Sequence, residues 1–167
     1  MRTGSIVKYY DTVAKKVVNQ VNEFALRKLK KVIWNSKMTC CALITNKYIF
    51  LMNKNFQRTA RVHEGTKIVE AFWNADDVLI YSTLNHLKYA LSNGDKGIIK
   101  SLDQIVYPID QKGEKLHYFK STGDIEEMKV NCDELSFKRC IQRTDIKSVK
   151  KFVKSKNTPG NSMIAYL

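Results

Sequence analysis

Proline is nearly absent from these 167 residues, with 2 copies, and glycine is sparse, with 7. That scarcity excludes a low-complexity linker and a collagen-like segment. Long apolar runs are missing too. Tyr48-Ile49-Phe50-Leu51-Met52 is representative, and such a stretch is far too short to span a bilayer. The opening Met1-Arg2-Thr3-Gly4-Ser5 lacks the apolar core and small-residue cleavage site of a signal peptide. The chain is therefore expected on the cytosolic side, with any membrane contact peripheral.

Metal-binding and catalytic patterns are lacking as well. Cys40, Cys41, Cys132 and Cys140 form no C-x-x-C pair, and no histidine stands at zinc-ligand spacing from them. Adjacent Cys40 and Cys41 should point to opposite faces of a strand, as reduced small hydrophobes. His63, His86 and His117 are isolated, and no nucleophile elbow, phosphate loop or H-E-x-x-H pattern occurs. Asp76-Asp77 and Glu126-Glu127 are neighbours in turn or surface positions and are expected to be solvated rather than paired for acid–base work. Asn93-Gly94-Asp95-Lys96-Gly97 lies between two expected strands, so it reads as a hairpin loop and not a phosphate cradle. No catalytic, cofactor-binding or metal-binding residue is nominated. The expectation is a protein that is not an enzyme, uses no cofactor and takes no small-molecule substrate.

Negative charge is scarce. Against 29 basic residues stand 16 acidic ones, a net charge of +13. The excess is carried by lysine, 23 Lys to 6 Arg by count, whereas bidentate reading of phosphates and bases favours arginine. A basic nucleic-acid-binding β protein is the alternative reading. It requires exposed aromatics beside the basic face, and Trp34 and Trp73 lie instead inside apolar strands. The segments Arg27-Lys28-Leu29-Lys30-Lys31 and Lys147 to Lys156 are the surface features with partner potential, including attraction to an anionic leaflet.

What is present is a repeat. Trp34 and Trp73 are 39 residues apart, as are Asn35 and Asn74, and Asn46 and Asn85. Each unit reads as four short strands. The first pair is Lys31 to Asn35 and Glu70 to Asn74, the second Cys40 to Ile44 and Val78 to Tyr81. The third pair is Tyr48 to Met52 and His86 to Leu91, the fourth Thr59 to Val62 and Gly97 to Leu102. Four strands in about forty residues is the period of a propeller blade. Ile6 to Asp11, a turn at Thr12 to Lys15 and Val17 to Val21 fit the end of a preceding blade. Ile105 to Ile109, Leu116 to Phe119 and Ile125 to Val130 make a last, three-stranded unit.

The expected fold is mostly β, a partial β-propeller of about two and a half antiparallel blades over residues 1–135. Residues 136–167 are expected to be a separate, short C-terminal α-helical segment. From Phe137 the pattern is helical, with Ile146, Val149, Lys150 and Val153 spaced three or four apart, Thr144-Asp145 as N-cap, and Thr158-Pro159-Gly160 as the stop. Asn161 to Leu167 reads as a second helix, truncated at its start. Incomplete blades leave unpaired edges, so self-association is expected.

Phe72-Trp73-Asn74, Val78 through Ala90 and Gly94 through Asp103 resemble the coatomer α-subunit family. Val32-Ile33-Trp34 and Ser162 through Leu167 resemble it in the same order, while the related β′ subunit fits less well through Asn85 to Asp103. The resemblance implies the last blades of a second propeller running into the solenoid. It further implies a scaffold role in the COPI vesicle coat, in protein transport between Golgi and ER, on the cytosolic face of Golgi membranes and vesicles. Implied partners are other coatomer subunits, β′ and ε among them, with peripheral membrane contact. The family's dilysine cargo site would lie outside this segment, so no cargo-binding residue is carried over.

Overall fold

A computed structural model of the chain describes residues 2–3, 6–22 and 24–154. It is mostly β, with four antiparallel sheets followed by two short helices. Sheet 1 holds β1 (Arg2–Thr3), β2 (Ile6–Asp11) and β3 (Lys16–Asn22). A 3-10 turn over Phe24–Lys28 leads into sheet 2, made of β4 (Lys31–Trp34), β5 (Cys40–Ile44), β6 (Tyr48–Asn53) and β7 (Arg58–His63). Sheet 3 repeats that order with β8 (Ile68–Trp73), β9 (Leu79–Thr83), β10 (His86–Ala90) and β11 (Lys96–Ser101). Sheet 4 is β12 (Val106–Lys112), β13 (Lys115–Lys120) and β14 (Ile125–Lys129). Two complete four-stranded blades are thus flanked by two three-stranded ones.

The sheets stack face to face in chain order, and the core lies in the three seams between them. Sheets 1 and 2 close over Val7, Leu26, Cys41, Leu43, Phe50 and Met52. Sheets 2 and 3 close over Ala42, Ile44, Ile49, Leu51, Val62, Ile68, Leu79 and Tyr81. Sheets 3 and 4 close over Ile80, Leu87, Tyr89, Val106, Leu116 and Tyr118. Successive side chains of β5 and β6 therefore enter different seams, as strand geometry demands. A sheet buried on both faces needs apolar residues at every position. That is why Cys41 to Ile44 and Ile49 to Met52 are continuous runs and do not alternate as a half-buried sheet would. Alternation returns along β11, at the edge of sheet 3, and along β13 and β14 of sheet 4.

Two details of the expected repeat change. Asn46 and Asn85 are not equivalent. In the second unit the turn after Asn74 is one residue shorter, since Asn35 N–H bonds to the Cys40 carbonyl but Asn74 N–H bonds to that of Val78. Beyond it the true offset is 38: Thr45 Oγ1 accepts from Tyr48 N and Thr83 Oγ1 accepts from His86 N. Asn85 matches Lys47, their carbonyls accepting from Leu102 and Glu64.

The helical region also differs. It begins at Asp133, with α1 (Asp133–Gln142) and α2 (Ile146–Lys154) as separate helices. Thr144, at φ 57°, breaks them, and Asp145 caps the second by accepting from Ser148 N at 3.2 Å. The expected stop at Thr158-Pro159-Gly160 and the helix from Asn161 lie outside the described residues.

Candidate functional site

The features built for a purpose are the seams and the helix laid across their turns. Trp34 and Trp73 end equivalent strands, β4 and β8, and each packs against the sheet before its own. Trp34 makes edge contacts with Tyr9 and Phe56, at 6.5 Å and 5.5 Å between ring centres, while Tyr9 and Phe56 stack at 3.7 Å. Trp73 donates from Nε1 to the Ile33 carbonyl at 3.1 Å, one sheet back. Both indoles are occupied by packing, so neither is a base-stacking platform.

The residue after each tryptophan shapes the next turn. Asn35 Oδ1 accepts from Thr39 N and Cys40 N, and Asn74 Oδ1 from Asp76 N and Val78 N, at 2.8–3.0 Å. Each side-chain amide then reaches forward one sheet, Asn35 Nδ2 to Asp77 Oδ1 at 3.0 Å and Asn74 Nδ2 to Gln111 Oε1 at 3.2 Å. These repeated asparagines do two jobs, turn and tether, which explains why both sit buried. The turns also need a left-handed residue. Met38 (φ 54°) and Asp77 (φ 61°) fill it at the 39-residue offset.

Asp76 and Asp77 are not merely solvated. Lys37 Nζ lies 2.6 Å from Asp77 Oδ2, and this bond, with the one from Asn35, holds the Asp77 carboxyl below the usual carboxylate range. Asp76 pairs with Arg139 of α1. Glu126 and Glu127 remain at the surface, paired with Lys120 and Lys115. Lys31 pairs with Glu70 at 2.6 Å, at the repeat offset.

A buried carboxylate that carries no sequence signature lies at the joint between sheets 2 and 3. Glu64, 4% exposed, accepts from Tyr81 Oη at 2.8 Å, Lys88 Nζ at 2.6 Å and Lys96 Nζ at 3.0 Å. Burial pushes its pKa up, but the bonds from Lys88, Lys96 and Tyr81 outweigh it and hold the carboxyl below its ordinary value. One loop residue thereby ties together β9, β10 and β11.

Helix α1 closes the same end of the stack that the Asn turns occupy. Leu135 and Phe137 are buried, Leu135 in the seam of sheets 3 and 4. Tyr89 Oη bonds to Glu134 Oε1 at 3.0 Å, and Lys138 Nζ reaches Glu134 at 2.9 Å and Asp95 at 3.5 Å. Gln142 Nε2 donates to Ser92 Oγ at 2.7 Å. The Tyr89 ring fits because Gly97 faces it: a Cβ there would stand 2.5 Å from the ring. Phe137 meets Phe152 edge-on at 6.3 Å, which seats α2 on α1. Asn93 to Gly97 forms the β10–β11 hairpin, with Gly94 at φ 92° against the Ala60 side chain.

The other residues singled out in the sequence are scattered. His63 lies beside the Tyr48 ring, His86 begins β10, and His117 faces Glu127 at 3.9 Å. All four cysteines are free thiols. Burial raises the Cys41 and Cys132 thiols. Among the described residues no group of three His, Cys, Asp or Glu converges as a metal site, and no helix is long and apolar enough to cross a membrane. A hollow of 410 Å³ between the turns and α1, lined by Asn74, Gln111, Glu114, Cys132 and Leu135, is open and holds no such cluster.

Residues 1–119 match the family model described as COPA/B second β-propeller. A Schizosaccharomyces pombe protein carrying the coatomer subunit alpha name is 31% identical over all of this chain. Coatomer subunit alpha of Saccharomyces cerevisiae is 34% identical over 89% of it. The chain spans 14% and 12% of those two relatives' lengths. Among solved structures, the computationally designed Ika4 protein superposes with a TM-score of 0.57 at 7% identity, covering 76% of this chain and 81% of that one. That likeness is one of fold.

Proposed function

This chain belongs to the COPA/B second β-propeller family, and from that membership we propose that it is a structural scaffold segment of the COPI coat. Residues 1–135 act as the propeller part, and residues 136–167 as the start of the α-solenoid. The observation that carries the reading is the docking of α1. A helix that buries Leu135 and Phe137 and ties Glu134, Lys138, Arg139 and Gln142 to Tyr89, Asp95, Asp76 and Ser92 of sheet 3 and its turns holds one orientation on the blades. Rigid transmission of orientation is what a coat subunit needs where a propeller meets a solenoid.

In this reading the chain performs no turnover. Its partners are other coatomer subunits, β′ and ε among them, and it works in the cytoplasm on the cytosolic face of Golgi membranes and vesicles. The basic excess draws it toward anionic surfaces. A nucleic-acid role is disfavoured, because the two tryptophans are committed to seams.

The test is a segment exchange. The aligned stretch of Saccharomyces cerevisiae coatomer subunit alpha is replaced by this sequence, and coat assembly on Golgi membranes is scored. Assembly with the exchanged segment supports the reading. An exchanged protein that folds, by circular dichroism, yet recruits no other subunit refutes it.

A further inference from the structure

The end of sheet 2 away from the Asn35 turn and α1 gathers lysines from three segments. Backbone hydrogen bonds hold those segments together. Lys30 N bonds to the Ile44 carbonyl at 2.7 Å, Glu64 N to that of Lys47 at 2.9 Å and Ile68 N to that of Asn46 at 2.8 Å. The Lys30 ammonium also donates to the Ile68 carbonyl at 3.3 Å. Lys28, Lys30, Lys47 and Lys67 thereby share one surface, and all four are exposed. Partial burial, and then the charge of Lys67, press the Lys30 ammonium below its ordinary pKa against the opposing pull of Glu70.

The acids of these segments are already committed. Glu64 holds Lys88 and Lys96, and Glu70 holds Lys31 at 2.6 Å. Residues 24–31, 45–48 and 63–70 contain no other acid. Glu23, outside the described residues, offsets one charge at most, and Arg27, which has a partner of its own, is not counted. At the α1 end, by contrast, charges meet their opposites: Lys37 with Asp77, Arg139 with Asp76, and Lys138 with Glu134 and Asp95. The excess is also local. At the 38-residue offset, sheet 3 has Asn85 and Ile105 in place of Lys47 and Lys67, so the blade itself does not require the lysines.

We infer that these four lysines dock a short acidic segment, rich in Asp and Glu, of a partner protein. An uncompensated cluster of like charge attracts opposite charge and speeds its encounter. Lysine suits carboxylates as a mobile point charge, whereas bidentate phosphate and base contacts favour arginine. A flat anionic leaflet would meet the ends of sheets 3 and 4 as well. Their turns at that end, residues 84–85, 102–105 and 121–124, carry Asp103 and Asp124 and no lysine. A short segment meets sheet 2 alone. The inference does not rest on the coat reading.

Fluorescence anisotropy of a fluorescein-labelled peptide of alternating Asp and Glu, titrated with the 167-residue chain in physiological salt, tests it. One peptide should bind per chain, and more weakly as salt rises. Lys47→Glu combined with Lys67→Glu should weaken binding about tenfold or more with unchanged circular dichroism, since both side chains are exposed. The control, Lys15→Glu combined with Lys54→Glu, makes the same change in net charge in the β2–β3 and β6–β7 turns at the opposite end. It should alter binding less than about twofold. If the first pair loses its fold, Lys47→Gln with Lys67→Gln replaces it and should weaken binding about threefold or more. A wild type that does not bind the peptide, or equal losses in both pairs, overturns the acidic-segment site. So does a preference for phosphatidylserine vesicles or single-stranded DNA over the peptide that is lost in the Lys47 and Lys67 pair.

Discussion

Trp73 Nε1 and the Ile33 carbonyl oxygen, 3.1 Å apart, tie the first strand of sheet 3 to the first strand of sheet 2. Trp34 holds the equivalent place at the seam before it, but by ring contacts with Tyr9 and Phe56. Phenylalanine can keep ring contacts and cannot keep an N–H bond. Trp73→Phe should therefore cost about 1–2 kcal/mol through the lost bond and volume. Trp34→Phe should cost about 1 kcal/mol less than that, since it loses the same volume and no hydrogen bond. Urea denaturation of the two variants measures the difference, and equal costs would contradict it.

Glu64 should give the fold an acid limit. Its folded pKa is held below the ordinary value of 4.5, so the stabilisation it gives is present above that value and is lost as pH falls through the lower, folded one. Glu64→Gln should destabilise at pH 7 and flatten the loss between neutral and acid pH. Glu64→Ala should cost about 2–4 kcal/mol, since it leaves Lys88 beside a buried gap while Lys96 can turn to solvent. Melting temperature against pH for the three proteins reads this out.

Two residues with the same strained backbone should respond in opposite directions. Met38 (φ 54°) is 60% exposed, so Met38→Gly should stabilise by about 1 kcal/mol by relieving a left-handed conformation. Phe56 (φ 58°) stacks on Tyr9, so Phe56→Gly should destabilise by more than about 1 kcal/mol, the seam contact outweighing the relief. Thermal denaturation decides both signs.

Phe137 anchors both helices. Phe137→Ala should undock α1 and α2 at a cost of about 3–5 kcal/mol of local stability. Brief trypsin treatment should then cut between Lys138 and Lys154 first, while the sheets persist as a resistant fragment. Simultaneous loss of helices and sheets would show that α1 is integral to the blades.

The blade period was legible because Trp34 and Trp73, with Asn35 and Asn74, keep both type and spacing. Asn46 and Asn85 misled, since a turn shortened by one residue moves everything beyond it and leaves an identical pair by coincidence. The start of α1 was hidden in Asn131-Cys132-Asp133-Glu134, a polar stretch whose helical character comes from what Leu135 and Tyr89 do in the folded seam. Glu64 was invisible for the same reason: a lone glutamate in a loop becomes a buried tie only when β9, β10 and β11 close around it.

Affinity purification of the tagged chain from cells that produce it, followed by mass spectrometry, tests the scaffold role most directly. The account predicts other coatomer subunits in constant ratio to the chain, retained after nuclease treatment. Nucleic acid as the bound species, with coatomer subunits at background level, would contradict it.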